Sequence, residues 1–214
     1  MIKLDILSDP ICPWCYIGWS NLARAMEKKP DHPFAIEWHP YQLNPDMPPE
    51  GMDRHDYLET KFGGRDGAVT AYAPVLEHAE AAGLSLKLDA ITRTPSTTNA
   101  HRLIHWAGLE ERQTPMVVAL FKAYFIEGRD IGDAEVLQDL ARSVGLDGTM
   151  TQTLLQGEAD LKEIAERDRH ARARGVTGVP CFIIDNQHVV TGAQPASFWE
   201  EVITDITQQL GSQA

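Results

Sequence analysis

Residues 8–19, SDPICPWCYIGW, contain Cys12 and Cys15, and the segments on either side of this stretch have different periodicities. Residues 2–7 before it alternate between apolar and polar side chains, which is typical of a half-buried strand. After Cys12, apolar residues recur at spacings of three and four, which predicts one face of a helix. Pro13 suits the first turn of that helix, where its missing N–H is not needed. The two cysteines are therefore expected where a strand passes into the N-terminus of a helix.

That position favours redox chemistry for the Cys12–Cys15 pair. Free N–H groups and the positive end of the helix dipole stabilise an anion, so the thiolate form of Cys12 is favoured there. The thiolate is the nucleophile in thiol–disulfide exchange, and Cys15 lies one turn deeper, where it can resolve a mixed disulfide. Two other interpretations are half of a metal site and a chance pair. A zinc site usually needs a second ligand pair, and the pair His101 and His105 lies on a different segment.

Composition limits the class of protein. The chain has 214 residues, of which 43% are hydrophobic and 23% charged, as in ordinary soluble globular proteins. Its net charge of −12 offers no basic surface for nucleic acid or acidic lipid. No apolar run is long enough for a membrane span, and the first residues lack the apolar segment of a secretory signal. A cytoplasmic protein is expected, and its three cysteines argue against a structural disulfide framework.

A second pattern occurs more than 150 residues downstream. Residues 158–174 predict an amphipathic helix that Gly175 ends. The segment GVTGVP, residues 175–180, leads into an apolar strand over residues 181–185. A turn then leads into a second strand over residues 188–191, so a hairpin is predicted. Pro180 suits the first position of a strand because it cannot donate a hydrogen bond to the sheet.

Together these segments resemble the DsbA family of thioredoxin-fold proteins. More narrowly, they are similar to its FrnE-like branch, which is grouped with the 2-hydroxychromene-2-carboxylate isomerases. The pieces that carry the resemblance are Asp9-Pro10-Ile11-Cys12-Pro13-Trp14-Cys15, Ala100-His101-Arg102-Leu103, Ala123-Tyr124-Phe125, Gly132-Asp133, residues 175–180, and Gly192-Ala193-Gln194. The resemblance covers essentially the whole chain.

The resemblance implies an α/β protein with a thioredoxin-like fold and a large all-helical insertion. Residues 1–44 and 158–214 would form the thioredoxin-like domain, and residues 45–157 the helical insertion domain. Residues 34–39 predict the second strand, no strand is expected between residue 45 and Cys181, and residues 195–210 predict the last helix. Helical patterns in the insertion cover residues 57–62, 68–82, 100–107, 116–126, 134–143 and 149–155.

The resemblance also implies a function, a thiol–disulfide oxidoreductase in which Cys12 attacks and Cys15 resolves. Val179 and Pro180, joined by a cis bond, would face Cys12 and bind substrate together with Pro13 and Trp14. The dithiol itself would carry the electrons, so no bound cofactor and no metal are expected. Expected partners are protein or peptide disulfides and thiols, with glutathione as a candidate co-substrate. The chain would be a monomer or a homodimer.

Several alternatives stay open on the sequence alone. Cys181 is either a small buried residue, or a third redox thiol or metal ligand beside Cys12 and Cys15. His101 and Arg102 either belong to a solvated helix face or line the cleft and hold an anionic substrate. The alternative functions are a glutathione-dependent isomerase or transferase of the 2-hydroxychromene-2-carboxylate type and a non-enzymatic chaperone or metal-binding module. In the isomerase branch a serine typically stands at the helix start, where this chain has Cys12.

Overall fold

A mixed four-stranded sheet organises the thioredoxin-like part of the chain in the computed structural model, which describes residues 1–212. The strand order is β2-β1-β5-β6. Strand β1 pairs parallel with β2 and antiparallel with β5, and β5 and β6 form the predicted hairpin. The strands are β1 (Ile2–Ser8), β2 (Phe34–Pro40), β5 (Cys181–Ile184) and β6 (His188–Thr191).

Nine α-helices occur within residues 1–212, and every predicted helix is among them. In the insertion their ends lie within 3 residues of the predicted ones, and the predicted terminal helices are found as well. The helices are α1 (Pro13–Lys28), α2 (Arg54–Phe62), α3 (Arg65–Ala81), α4 (Thr98–Leu109), α5 (Gln113–Phe125), α6 (Ala134–Ser143), α7 (Gly148–Gln156), α8 (Leu161–Ala173) and α9 (Ala196–Ser212).

The insertion is helical, as predicted, but it also contains a short two-stranded sheet that the sequence analysis missed. Strands β3 (Met52–Asp53) and β4 (Arg93–Thr94) pair antiparallel over two residues each. A strand of two residues is too short to show an alternating pattern, which explains the miss. The expectation that no strand lies between residue 45 and Cys181 is therefore wrong.

One apolar core joins the sheet to the insertion helices. Trp38 of β2 packs edge-on against Trp19 of α1, with ring centroids 5.2 Å apart. Tyr16 of α1 stacks on Phe121 of α5 at 5.0 Å. Helix α5 therefore contributes to the core that positions α1, although it belongs to the predicted insertion. The division of the chain after residues 44 and 157 stays a prediction.

Alternation along β1 assigns its side chains to opposite faces of the sheet. Leu4 and Ile6 belong to the main core, whereas Leu7 packs with Cys181 in a smaller cluster on the other side.

No helix within the described part of the chain is long and apolar enough to cross a membrane.

Candidate active site

The turn from β1 into α1 holds the two cysteines where the sequence predicts them. Cys12 is the N-cap of α1 and has extended backbone, and Pro13 is the first helical residue. The Cys12 carbonyl accepts hydrogen bonds from the backbone N–H groups of Cys15 at 3.1 Å and Tyr16 at 3.3 Å. The Cys12 side chain makes no capping hydrogen bond, so the sulfur is not used to cap the helix.

Val179, which precedes β5, lies against Cys12. The Cys12 thiol donates to the Val179 carbonyl oxygen at 3.7 Å, across 167 residues of chain. The peptide bond between Val179 and Pro180 is cis. Gly18 of α1 allows this approach, because a Cβ at that position would lie 3.1 Å from Pro180 Cγ. The sequence analysis did not identify Gly18, and nothing in the local pattern distinguishes it from other helical glycines.

Cys15 lies in the first turn of α1 and is 2% exposed. Burial raises the pKa of the Cys15 thiol well above its usual value, and the neighbouring Cys12 sulfur raises it further. The Ser8 hydroxyl and the Asp9 backbone N–H lower the pKa of Cys15 in part, because both can stabilise a thiolate. Cys15 is therefore held as a protonated thiol in contact with Cys12.

The two residues between the cysteines, Pro13 and Trp14, are both partly accessible. Pro13 is half-buried in the first turn of α1. Trp14 is half-buried as well and contacts His78 of α3 edge-on, with ring centroids 5.2 Å apart. Trp14 thus links the dithiol turn to the insertion, and its role in substrate binding stays a prediction.

Cys181 does not join the dithiol. It pairs with Leu7 across the sheet and packs against Tyr41 and Ala171, on the face opposite the Cys12–Cys15 core. Among residues 1–212, no cysteine belongs to a group of three metal-ligating side chains with donor atoms close together. Burial raises the pKa of Cys181, so the thiol form is favoured there. The geometry does not support a site in which all three sulfurs hold one metal, and it places Cys181 as a small buried residue.

His101 and Arg102 do not form a solvated helix face, because they are only 3% and 1% exposed. Arg102 donates hydrogen bonds to the carbonyl oxygens of Leu154, Gly157 and Ala159, which lie at or just beyond the C-terminal end of α7. These hydrogen bonds occupy the Arg102 guanidinium. Helix α4 packs against α5, α6, α8 and β2, and the local sequence pattern did not reveal these contacts.

His101 lies beside a second buried ionisable group, the Asp9 carboxyl. His101 Nε2 is 3.8 Å from Asp9 Oδ1. Asp9 accepts hydrogen bonds from the backbone N–H groups of Ile11 and Leu43. Burial raises the pKa of Asp9 to about 7 and lowers the pKa of His101 to about 4. In the sequence Asp9 marked only the end of a strand, and its burial depends on contacts with distant segments.

The sheet order, the cysteine pair at a helix start and the proline loop against the first cysteine define a thioredoxin-fold protein with a dithiol site. A family model described as DSBA-like thioredoxin domain matches residues 3–204. The chain therefore belongs to the DsbA-like thioredoxin family.

Solved structures agree with this assignment. The probable DsbA oxidoreductase SCO1869 from Streptomyces coelicolor is 28% identical, with a TM-score of 0.83 over 96% of this chain and 89% of that chain. A 2-hydroxychromene-2-carboxylate isomerase has a TM-score of 0.73 at 17% identity, covering 99% of both chains. The cytosolic disulfide reductase DsbM from Pseudomonas aeruginosa, solved with GSH, has a TM-score of 0.69 at 19% identity, covering 96% of this chain and 99% of that chain. The last two similarities concern the fold.

Proposed function

We propose that this protein is a thiol–disulfide oxidoreductase in which Cys12 is the nucleophile and Cys15 the resolving thiol. The observation that supports the proposal most directly is the 3.7 Å contact of Cys12 Sγ with the Val179 carbonyl oxygen. It places the first cysteine of the pair against the backbone that precedes Pro180, at the start of α1. The second cysteine is held next to it as a protonated thiol.

The thiol–disulfide exchange takes place in two steps. In the first, the Cys12 thiolate attacks a disulfide of the substrate, a bond forms between Cys12 and one substrate sulfur, and the other sulfur leaves as a thiolate. In the second step, Cys15 loses its proton and its thiolate attacks the Cys12 sulfur. The mixed disulfide breaks, and the remaining substrate sulfur leaves as a thiolate with the electron pair of the broken S–S bond. The substrate is reduced, and Cys12 and Cys15 form a disulfide. The reverse sequence oxidises a dithiol substrate.

The substrates we propose are protein or peptide disulfides, with glutathione as a co-substrate that restores the reduced dithiol. The backbone at Val179 and Pro180, together with Pro13 and Trp14, would bind an extended segment by short main-chain pairing. The structure of DsbM with GSH supports glutathione as a candidate. DsbM is described as cytosolic, and we propose a cytoplasmic location here as well.

Trapping of the mixed disulfide tests the proposal. A peptide with a single disulfide is mixed with the reduced protein. The reaction is quenched with acid, the free thiols are alkylated, and the masses of the products are measured by mass spectrometry. We expect Cys15→Ser to accumulate the Cys12–peptide adduct and Cys12→Ser to form none. Cys181→Ala is the matched control, because this thiol lies on the other face of the sheet, and it should behave as wild type. Normal turnover by Cys15→Ser would contradict the proposal.

The same variants separate this function from the glutathione-dependent isomerase. An isomerase uses the thiol of glutathione itself and does not need a dithiol in the protein. Undiminished glutathione affinity in Cys12→Ser, together with no adduct in Cys15→Ser, would favour the isomerase. Loss of peptide reduction in Cys12→Ser and adduct accumulation in Cys15→Ser would favour the oxidoreductase.

A further inference from the structure

A small cavity lies at the carboxyl end of β1, and Ser8 and Pro10, which precede Cys12 in the chain, are part of its lining. Its volume is about 10 Å³, and the polar side chains that line it include Ser8, His39, His101, His105 and Arg167. A cavity of about this size accommodates one water molecule when polar partners are present. The cavity extends from fully buried residues to side chains that solvent reaches.

Two polar atoms at the buried end of the cavity have no hydrogen-bond partner among residues 1–212. They are Ser8 Oγ and His101 Nε2, on side chains from residues that are 5% and 3% exposed. An unsatisfied buried polar group costs about 1–3 kcal/mol, so two such groups facing one cavity point to a ligand that bonds both. A water molecule fits the volume of the cavity, and it can both donate and accept hydrogen bonds.

Ser8 connects this cavity to Cys15. Ser8 Oγ makes no hydrogen bond to the Cys15 thiol. Its hydroxyl can donate to the Cys15 thiolate, which lowers the pKa of Cys15 in part, although burial keeps that pKa well above its usual value. Cys15 is 2% exposed, so its thiol proton has no direct contact with bulk solvent. The resolving step nevertheless requires that this proton leave before, or as, the sulfur attacks.

We propose that Ser8 Oγ and His101 Nε2 hold a water molecule behind Cys15 and that this water conducts the Cys15 proton to the solvent-facing end of the cavity. The inference rests on the proposed function. During resolution the Cys12–Cys15 bond forms, the mixed disulfide breaks, and the substrate leaves as a thiolate. The Cys15 proton passes through the water to solvent, and the same path returns a proton when the disulfide is reduced.

The far end of the cavity provides the exit. His39 Nδ1 accepts a hydrogen bond from Arg167 Nη2 at 2.8 Å, and His39 Nε2 contacts Asp5 Oδ1 at 2.6 Å. The His39 and Arg167 side chains are 23% and 22% exposed, so this end meets water. His105 lies 3.4 Å from Arg167 Nη1.

Burial keeps His101 suited to conduct a proton rather than retain one, because it disfavours the charged imidazolium. The titratable and charged groups that face it are Asp9 from the turn after β1 and Asp168 and Arg167 from α8. Burial lowers the pKa of His101 and of His39, so both rings are neutral near pH 7. A neutral ring has one nitrogen that accepts and one that donates.

A two-step reaction with 5,5′-dithiobis(2-nitrobenzoate) tests the inference in a Cys181→Ala background. Attack by Cys12 releases one coloured thiolate, and attack by Cys15 on the resulting mixed disulfide releases a second. Stopped-flow absorbance resolves the two rates. The variants are His101→Phe and Ser8→Ala, which remove the two polar atoms, and Ser8→Thr, which keeps the hydroxyl. Ile104→Val, another position in the cavity lining, is the apolar control.

We expect His101→Phe and Ser8→Ala to slow the second release by about 10-fold or more and to leave the first within about twofold. Ser8→Thr and Ile104→Val should match the parent rates. If His101→Phe does not fold, Ser8→Ala against Ser8→Thr decides the question. A second release at the parental rate in Ser8→Ala, or equal slowing of both releases, would overturn the inference while leaving the proposed function intact. If the parent protein shows no Cys12-dependent first release, the proposed function itself fails.

Discussion

His101 Nε2 lies 3.8 Å from Asp9 Oδ1, in the turn that leads from β1 to Cys12, and the two residues are 3% and 0% exposed. Burial disfavours the charged form of each group, which raises the pKa of Asp9 to about 7 and lowers the pKa of His101 to about 4. Between those values both side chains are neutral in the folded protein. In the unfolded chain, Asp9 is ionised above about pH 4 and His101 is protonated below about pH 6.5.

The pair predicts compensating effects of pH on stability. Between pH 4.5 and 6.5 the folded state holds one more proton on Asp9 and one fewer on His101 than the unfolded state. The Asp9 contribution to the free energy of unfolding therefore falls with rising pH, the His101 contribution rises, and each changes by about 1.4 kcal/mol per pH unit. We expect Asp9→Asn to become more stable relative to wild type as pH rises, and His101→Phe to become less stable. Urea unfolding at pH 4.5, 5.5 and 6.5 measures this, and parallel profiles for all three proteins would refute it.

Gly18→Ala is predicted to disturb the contact between α1 and the proline loop. The new Cβ would lie 3.1 Å from Pro180 Cγ and 3.4 Å from Phe182 Cζ. Overpacking of this kind costs about 1–3 kcal/mol, which offsets the gain of about 1 kcal/mol from alanine in a helix. We expect slower formation of the Cys12–peptide adduct and little change in the midpoint of thermal unfolding. Gly211→Ala is the control, because that helical glycine has open space around it, and equal adduct rates in both variants would contradict the prediction.

Cys181 is predicted to matter for packing and not for exchange. It is 2% exposed and lies among Leu7, Tyr41 and Ala171. Cys181→Ala should cost about 1 kcal/mol of stability, and Cys181→Ser should cost more because it buries a hydroxyl without an assured partner. Equilibration with glutathione buffers should give the same Cys12–Cys15 reduction potential in both variants as in wild type. A changed potential in Cys181→Ala would show that this thiol takes part in the redox site.

Arg102 is predicted to stabilise the C-terminal end of α7. Arg102→Met leaves several buried carbonyl oxygens without a donor, so we expect a loss of about 3 kcal/mol in the free energy of unfolding. Arg129→Met removes a partly exposed ion pair with Asp139 and should cost no more than about 1 kcal/mol. Equal losses, measured by urea unfolding, would contradict the importance given to the buried hydrogen bonds.

The dithiol was predictable because its signals are local. A strand pattern, a Cys-Pro-Trp-Cys segment and a helical pattern follow one another within 30 residues, and each depends on near neighbours in the chain. The helices of the insertion were predictable for the same reason. The sheet of β3 and β4 was missed because two residues do not establish a period.

Burial of polar residues was not predictable in the same way. His101 and Arg102 follow each other in a helix whose charged and apolar residues suggested a solvated face. The turn after β1 and helix α8 lie against His101, and the C-terminal end of α7 lies against Arg102, so both side chains are buried. Asp9 is buried because the Leu43 backbone and residues of α4 close over the turn.

The sequence by itself determined the order of helices and strands and the location of Cys12 and Cys15 at a helix start. Periodicity and turn chemistry depend on residues that are close along the chain, so these features can be deduced without coordinates. The family resemblance implied that Val179 meets Cys12, as the structure shows. Only the tertiary structure decided that Cys181 faces away from them and that Ser8 and His101 share a cavity. Those relationships join residues that are far apart in the chain, and they depend on which faces of the sheet and helices pack together.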